Sequence, residues 1–230
     1  MTLYCPSKDD WSVEYGNAVL RDDGSSSGWV IHGGGRVAST AAFNLLGGYI
    51  EFDMNTTHAN TNVNNNFYLT SPDRSTFPKY CDIQQTPGCL EMDIVENNGN
   101  CVAATTWHTE NGHVGKGNCD RGGCAGSTKI PKTGEPFRIK ASFKTDGEMR
   151  VTLNGVEIQV HSPTPNGDAV AYVKETFTAS GAMVHSSQWT GWVPGGDCSG
   201  GGGLDASTFS VANVKVMAAG IVQGREPRRC

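Results

Sequence analysis

The chain has 230 residues, 30 of them glycine, with 18% charged residues and a formal net charge of −5. A net negative surface attracts neither nucleic acid nor anionic membrane, and no apolar run reaches the ~18 residues that would span a bilayer. All-β domains of roughly 200–250 residues bury a sizeable core unaided, so residues 1–230 are expected to form a single domain, monomeric and without a cofactor or metal.

In chain order, residues 41–46 read as one helical turn. Residues 49–54 alternate, with Ile50, Phe52 and Met54 on one face, as a half-buried strand requires. Residues 64–70, residues 90–96 and Val102–His108 are further strands. Phe137–Phe143 alternates apolar residues with Arg138, Lys140 and Ser142; a turn at residues 145–148 leads into Met149–Leu153. Asn154-Gly155 signals a type I′ hairpin before Val156, Ile158 and Val160. This three-stranded meander has a charged outer face and reads as the solvent-facing back of a sheet. Residues 168–179 suggest a turn or two of helix. Phe209 and Val211 share one parity while Val214 and Val216 take the other, which places a bulge near Ala212-Asn213. Many short strands, Gly-rich turns and no internal repeat indicate an all-β sandwich of two stacked antiparallel sheets.

Eight dispersed cysteines imply disulfides made in an oxidising compartment, hence a secreted, extracellular protein whose leader has been removed. The Asn55-Thr56-Thr57 sequon fits export. Cys5 and Cys230 are expected to tie the termini, and Cys119 and Cys124 to close a small loop. A zinc site is the rival reading, but Cys119 and Cys124 are the sole close pair and lack the spacing of a CxxC ligand set.

The sharpest chemical signal is Glu91-Met92-Asp93-Ile94-Val95-Glu96. Side chains at i and i+2 of a strand share a face, so Glu91 and Asp93 point together while Met92 and Ile94 enter the core. Glu96 joins the acids if one extra residue near Ile94-Val95 bulges. Crowded carboxylates raise one another's pKa, so one stays protonated while a neighbour is ionised. Retaining glycoside hydrolysis needs that division between nucleophile and acid/base. The bland alternative is a solvated strand whose acids confer solubility.

The segment Cys89-Leu90-Glu91-Met92-Asp93-Ile94-Val95-Glu96-Asn97 resembles the catalytic strand of glycoside hydrolase family 7, and its acid spacing is similar to the bulge-containing branch of family 16. The resemblance implies a concanavalin A-like jelly roll with a curved substrate-binding sheet and a retaining mechanism. It makes Glu91 the nucleophile, Asp93 its assistant and Glu96 the acid/base. Gly47 to Asp53 resembles an early strand of family 7, and Asn64 to Leu69 its sugar-contacting strand, which carries a substrate role to Asn64 and Tyr68. Tyr80-Cys81-Asp82 and the loop from Cys119 to Cys124 also resemble family 7, as do residues 183–189 more faintly. Both families place a histidine near the acids, here His108, and family 7 a subsite tryptophan, here Trp189. Val95 replaces a tryptophan usual in family 7, and the chain is too short for that family's tunnel-roofing loops. The expectation is therefore an open cleft and an endo-acting β-glucanase, with β-1,4 and β-1,3 linkage both open.

Trp192 lies with Trp189 in a Gly-rich segment, where an exposed ring suits sugar stacking, whereas Trp107 serves equally as core or as sugar platform. Trp11 and Trp29 have no such context. No Gly-x-Ser-x-Gly elbow supports serine hydrolysis, and the run from Gly200 to Gly203 lacks the ending of a phosphate loop. A lectin-like module of the same fold is the first competing function. A polysaccharide lyase, suggested by Gln159-Val160-His161, is the second, but its companion motifs are missing.

Overall fold

The computed structural model describes residues 1–72, 75, 77–113, 115–132 and 134–230. Its strands, in chain order, are β1 (Thr2–Tyr4), β2 (Trp11–Asp22), β3 (Ser27–Asn44), β4 (Tyr49–Asn55), β5 (Asn64–Ser71), β6 (Leu90–Asn98) and β7 (Val102–His108). There follow β8 (Cys124–Lys129), β9 (Phe137–Phe143), β10 (Met149–Leu153), β11 (Val156–Glu157), the helix α1 (Gly167–Ala179), β12 (Ala182–Trp189), β13 (Thr208–Ala218) and β14 (Gly220–Gly224).

Hydrogen bonding runs in the order β11-β10-β9-β4-β13-β3-β12-β5-β6-β7-β8, with β1 on β13 and both β2 and β14 on β3. Along that path β4 and β5 are four steps apart, yet Phe52 of β4 stacks on Phe67 of β5 with ring centroids 3.8 Å apart. The sheet therefore curls over on itself and presses two layers together, the expected jelly-roll sandwich. Trp29, Ile31, Ile50, Met54, Leu69, Met92 and Phe209 fill the space between the layers and are fully buried.

The meander forms as read. Asn154 and Gly155 both adopt positive φ, 49° and 83°, as a type I′ turn demands. Arg138 on its outer face pairs with Asp53 and Glu51 of β4. Its last strand is shorter than expected: β11 ends at Glu157, with Val156 exposed and Ile158 buried beyond it. The bulge near Ala212-Asn213 is present, since the register of β13 against β4 shifts between Ala212 and Lys215.

Two sequence expectations change. Residues 41–46 are not helical: β3 runs through Asn44, held by β12 and β14 on its two sides. Hydrogen bonding to two strands overrides the helical propensity of Ala-Ala-Phe-Asn-Leu-Leu. Conversely, α1 is a full 13-residue helix. Asn166 caps it by accepting from the Ala169 N–H at 2.9 Å, and Ala169, Val173 and Phe177, spaced four apart, bury one stripe.

All eight cysteines pair, as Cys5–Cys230, Cys81–Cys89, Cys101–Cys198 and Cys119–Cys124. No thiolate is left to hold zinc, which removes that rival. Among the described residues no helix is long and apolar enough to cross a membrane.

Candidate active site

Strand β6 carries one residue more than its neighbours. Tyr68 of β5 pairs with Asp93, but Phe67 pairs with Val95, so Ile94 is left without a partner. The register against β7 breaks at the same place, between Asp93 and Glu96. Met92, Ile94 and Val95 all enter the core, and Glu96 is turned back to the face of Glu91 and Asp93. The acid pattern required this bulge. Cross-strand partners then fall into rows: Thr70–Glu91–His108, Tyr68–Asp93–Thr106 and Asn66–Glu96–Ala104. All three acids line one cleft of about 820 Å³ on the concave side of the sheet.

Each acid has its own partners. Glu91 accepts from the Ile83 N–H at 3.3 Å and hydrogen-bonds the Asp93 carboxyl. Asp93 Oδ2 lies 3.1 Å from His108 Nε2, and the other ring nitrogen of His108 lies 3.3 Å from the Asp120 carbonyl oxygen. Both ring nitrogens of His108 are thus engaged, one by a carboxyl and one by a carbonyl oxygen, which fixes the ring beside Asp93. Glu96 accepts from Asn64 Nδ2 at 2.9 Å.

Burial, and then mutual repulsion, push all three carboxyls upward. Glu91 is raised well above its ordinary value by desolvation and by Asp93. Asp93 is raised to about 7 by desolvation and by Asp82, and Glu96 to about 8 by desolvation and by Asp93. Glu91 and Asp93 form a hydrogen-bonded pair whose titrations are linked, and Glu96, at about 8, keeps its own proton at neutrality.

The other expected residues gather around the acids. Asn64, besides bonding Glu96, donates to the Trp192 carbonyl at 3.3 Å. Tyr68 is buried, donates to the Tyr80 hydroxyl at 3.1 Å and stacks on His185. Trp189 and Trp192 both line the cleft, and Trp192 is 51% exposed. Trp107 is core, 2% exposed, since its parity opposes that of His108. Trp11 and Trp29 pack edge to face inside the fold. His161 lies not on the charged back but on the rim of the cleft, because the chain beyond β11 crosses to pair with β8 at Ala125.

Sequence reasoning assigned no role to one wall of this cleft. Arg36 of β3 sits 3.4 Å above the Tyr80 ring, forms an ion pair with Glu14 and hydrogen-bonds Tyr68. The Tyr80 hydroxyl donates to Asp82 at 2.7 Å, and His185 of β12 meets Thr70 at 3.0 Å. Burial, and then Arg36, lower His185 to about 3, so it stays neutral. The Cys81–Cys89 bond closes the loop that carries Asp82 and Ile83 against Glu91. Tyr80 and Asp82 flank Cys81, a signal available in the sequence; Arg36 and His185 gave none. Among the described residues no group of three or more His, Cys, Asp or Glu is placed to hold a metal ion.

No protein-family model and no curated protein sequence matches the chain. Solved structures do. A glycoside hydrolase family 16 endo-glucanase from Bacteroides ovatus, in complex with G4G3G-2F-DNP, aligns over 90% of this chain and 94% of its own at TM-score 0.57 and 11% identity. A glycoside hydrolase family 7 cellobiohydrolase from Daphnia pulex aligns over 90% and 81% at TM-score 0.60 and 15% identity. The Crh5 transglycosylase in its apo form aligns over 96% and 85% at TM-score 0.57 and 13% identity. At such identities the likeness establishes the fold, and it is the jelly roll that the sequence resemblance implied.

Proposed function

We propose that this protein is a retaining, endo-acting glycoside hydrolase of β-glucans, with Glu91 as nucleophile, Asp93 as its assistant and Glu96 as acid/base. The observation that carries the reading is the bulge at Ile94, which gathers three carboxyls, two buried and one half-buried, on the floor of one cleft. Burying three acids together is costly, and a lectin has no use for that cost. The fold shared with glycoside hydrolases of families 7 and 16 supports the same reading.

In the first step the Glu91 carboxylate attacks the anomeric carbon, the bond to the leaving oxygen breaks, and Glu96 gives that oxygen its proton. Asp93 assists through its hydrogen bond to the Glu91 carboxyl, and His108 holds Asp93 from the other side at 3.1 Å. In the second step water attacks the same carbon, Glu96 takes its proton, and Glu91 leaves. Tyr68 holds the sugar near the acids, Asn64 steadies the Glu96 carboxyl from behind the cleft surface, and Trp189 and Trp192 stack on neighbouring units. The four disulfides support secretion into an oxidising medium. The substrate partner is a neutral polysaccharide, bound by one 230-residue domain acting as a monomer; nucleic acid and membrane are not partners.

The test is digestion of carboxymethyl cellulose, lichenan and laminarin, with the anomer first released read by proton NMR. Retention is expected, with turnover lost by ~10³-fold or more in Glu91→Gln and Glu96→Gln. Azide added to Glu91→Ala should yield the α-glycosyl azide. A lectin would release nothing, a lyase would give products absorbing in the near ultraviolet, and inverted products would overturn the role of Glu91.

A further inference from the structure

Another bulge, far from the acids, shapes the other end of the cleft. On β2, Val13 pairs with Val37 of β3 but Tyr15 pairs with Arg36, so Glu14 is the additional residue. The slip turns Tyr15 to the face opposite that of Val13, onto the concave side, where it lines the same cleft as the acids. Its ring lies beside the Arg36 guanidinium, 5.1 Å from the centroid, and remains 48% exposed.

Tyr15 also stands in register with the acid/base. Arg36 pairs with Ser187 of β12, the Ser187 N–H donates to Asn66 Oδ1 at 2.7 Å, and Asn66 pairs with Glu96. On the other side Glu96 pairs with Ala104 and Ala104 with Ser127 of β8. One straight row thus crosses seven strands, and the cleft follows it. Neighbouring strands lie ~4.8 Å apart, close to the ~5 Å advance of a β-linked glucosyl unit, so the Tyr15 arm spans about four units and the Ser127 arm about two.

From this we infer that the cleft is a track for about six sugar units, cleaving between a four-unit arm and a two-unit arm, with Tyr15 as the stacking platform that ends the long arm. The inference rests on the hydrolase reading and adds the length of the substrate and where along it the cut falls. Tyr15 touches no reacting atom; it sets which chain lengths are gripped.

The experiment uses cello-, laminari- and mixed-linkage gluco-oligosaccharides of four and six units. For the wild type, kcat/KM on the six-unit chain of the preferred series should exceed that on the four-unit chain by about tenfold, with tetra- and disaccharide as the main products. In Tyr15→Ala the ratio should fall to about twofold, whereas Tyr15→Phe, which keeps the ring, should retain it. A ratio untouched by Tyr15→Ala, or no advantage of six units over four in the wild type, overturns the inference. Should the wild type cleave none of these series, the hydrolase reading fails, and calorimetric affinity for the same oligosaccharides decides the track alone. Equal affinity for both lengths, or none for either, then overturns it.

Discussion

Asp93 lies between the two glutamates, and its charge raises both. Replacing it by asparagine keeps the shape and removes the charge. With Ile94 bulged out, Asp93 and Glu96 are effectively two strand positions apart, about 7 Å at ~3.3 Å per residue. At an effective dielectric constant near 20, a unit charge at that distance contributes about 2 kcal/mol, or ~1.5 pH units. In the wild type the alkaline limb of the kcat/KM profile should follow Glu96 at about 8, because the acid must carry its proton. In Asp93→Asn that limb should fall to ~6.5, and the acid limb should fall too, since Glu91 ionises more easily without its neighbour. The whole bell moves toward acid, and at pH 8 the variant should work about 30-fold below its own optimum. The assay is kcat/KM on a soluble glucan across pH 4 to 10, with circular dichroism to verify the fold. An alkaline limb that stays at 8 or rises would refute the view that Asp93 sets the proton affinity of Glu96.

Asn64→Ala should move the same limb the other way, up by about one unit, because the lost hydrogen bond stabilised the ionised form of Glu96; the pH profile reads it, and a limb that stayed put would count against it. Folding stability should decline as pH rises from ~4.5 to 8, since the native carboxyls hold protons there that the unfolded chain releases. Glu96→Gln should flatten that decline and gain ~1–3 kcal/mol at pH 8 in urea titrations, and an unchanged slope would contradict the shift. Exchanging Cys81 and Cys89 for serine should cost about 2.5 kcal/mol of stability for so short a loop. It should also lower kcat about tenfold, because Ile83 and Asp82 are no longer pressed against Glu91. A destabilised protein with full kcat would separate that loop from catalysis.

The parts of the molecule legible in the sequence are those where one residue type carried its own constraint. Three acids of mismatched parity made sense only with a bulge, and the bulge is there. The alternation of Phe137–Phe143 and Met149–Leu153 fixed both strands and their outer face. The hairpin of β2 and β3 was not legible, because two register shifts break the alternation of β2 and glycines and alanines crowd β3. For the same reason Tyr15 gave no signal, since its face depends on a slip at Glu14 that only pairing with β3 defines. Arg36, Tyr80 and His185 come from three separate segments, and closure of the sheet alone brings them to Tyr68.

The unpaired residue in β6 makes this site a matter of counting. Removing the codon of Ile94 would leave an unbroken alternation in which all three acids still share one face, whereas an added codon between Asp93 and Glu96 would turn the last acid toward the hydrocarbon interior. Alignments of descendants should therefore tolerate a gap at this place, or altered side chains at Ile94, far more readily than an insertion. A lineage that shed the extra residue would keep the same row of acids on a regular strand.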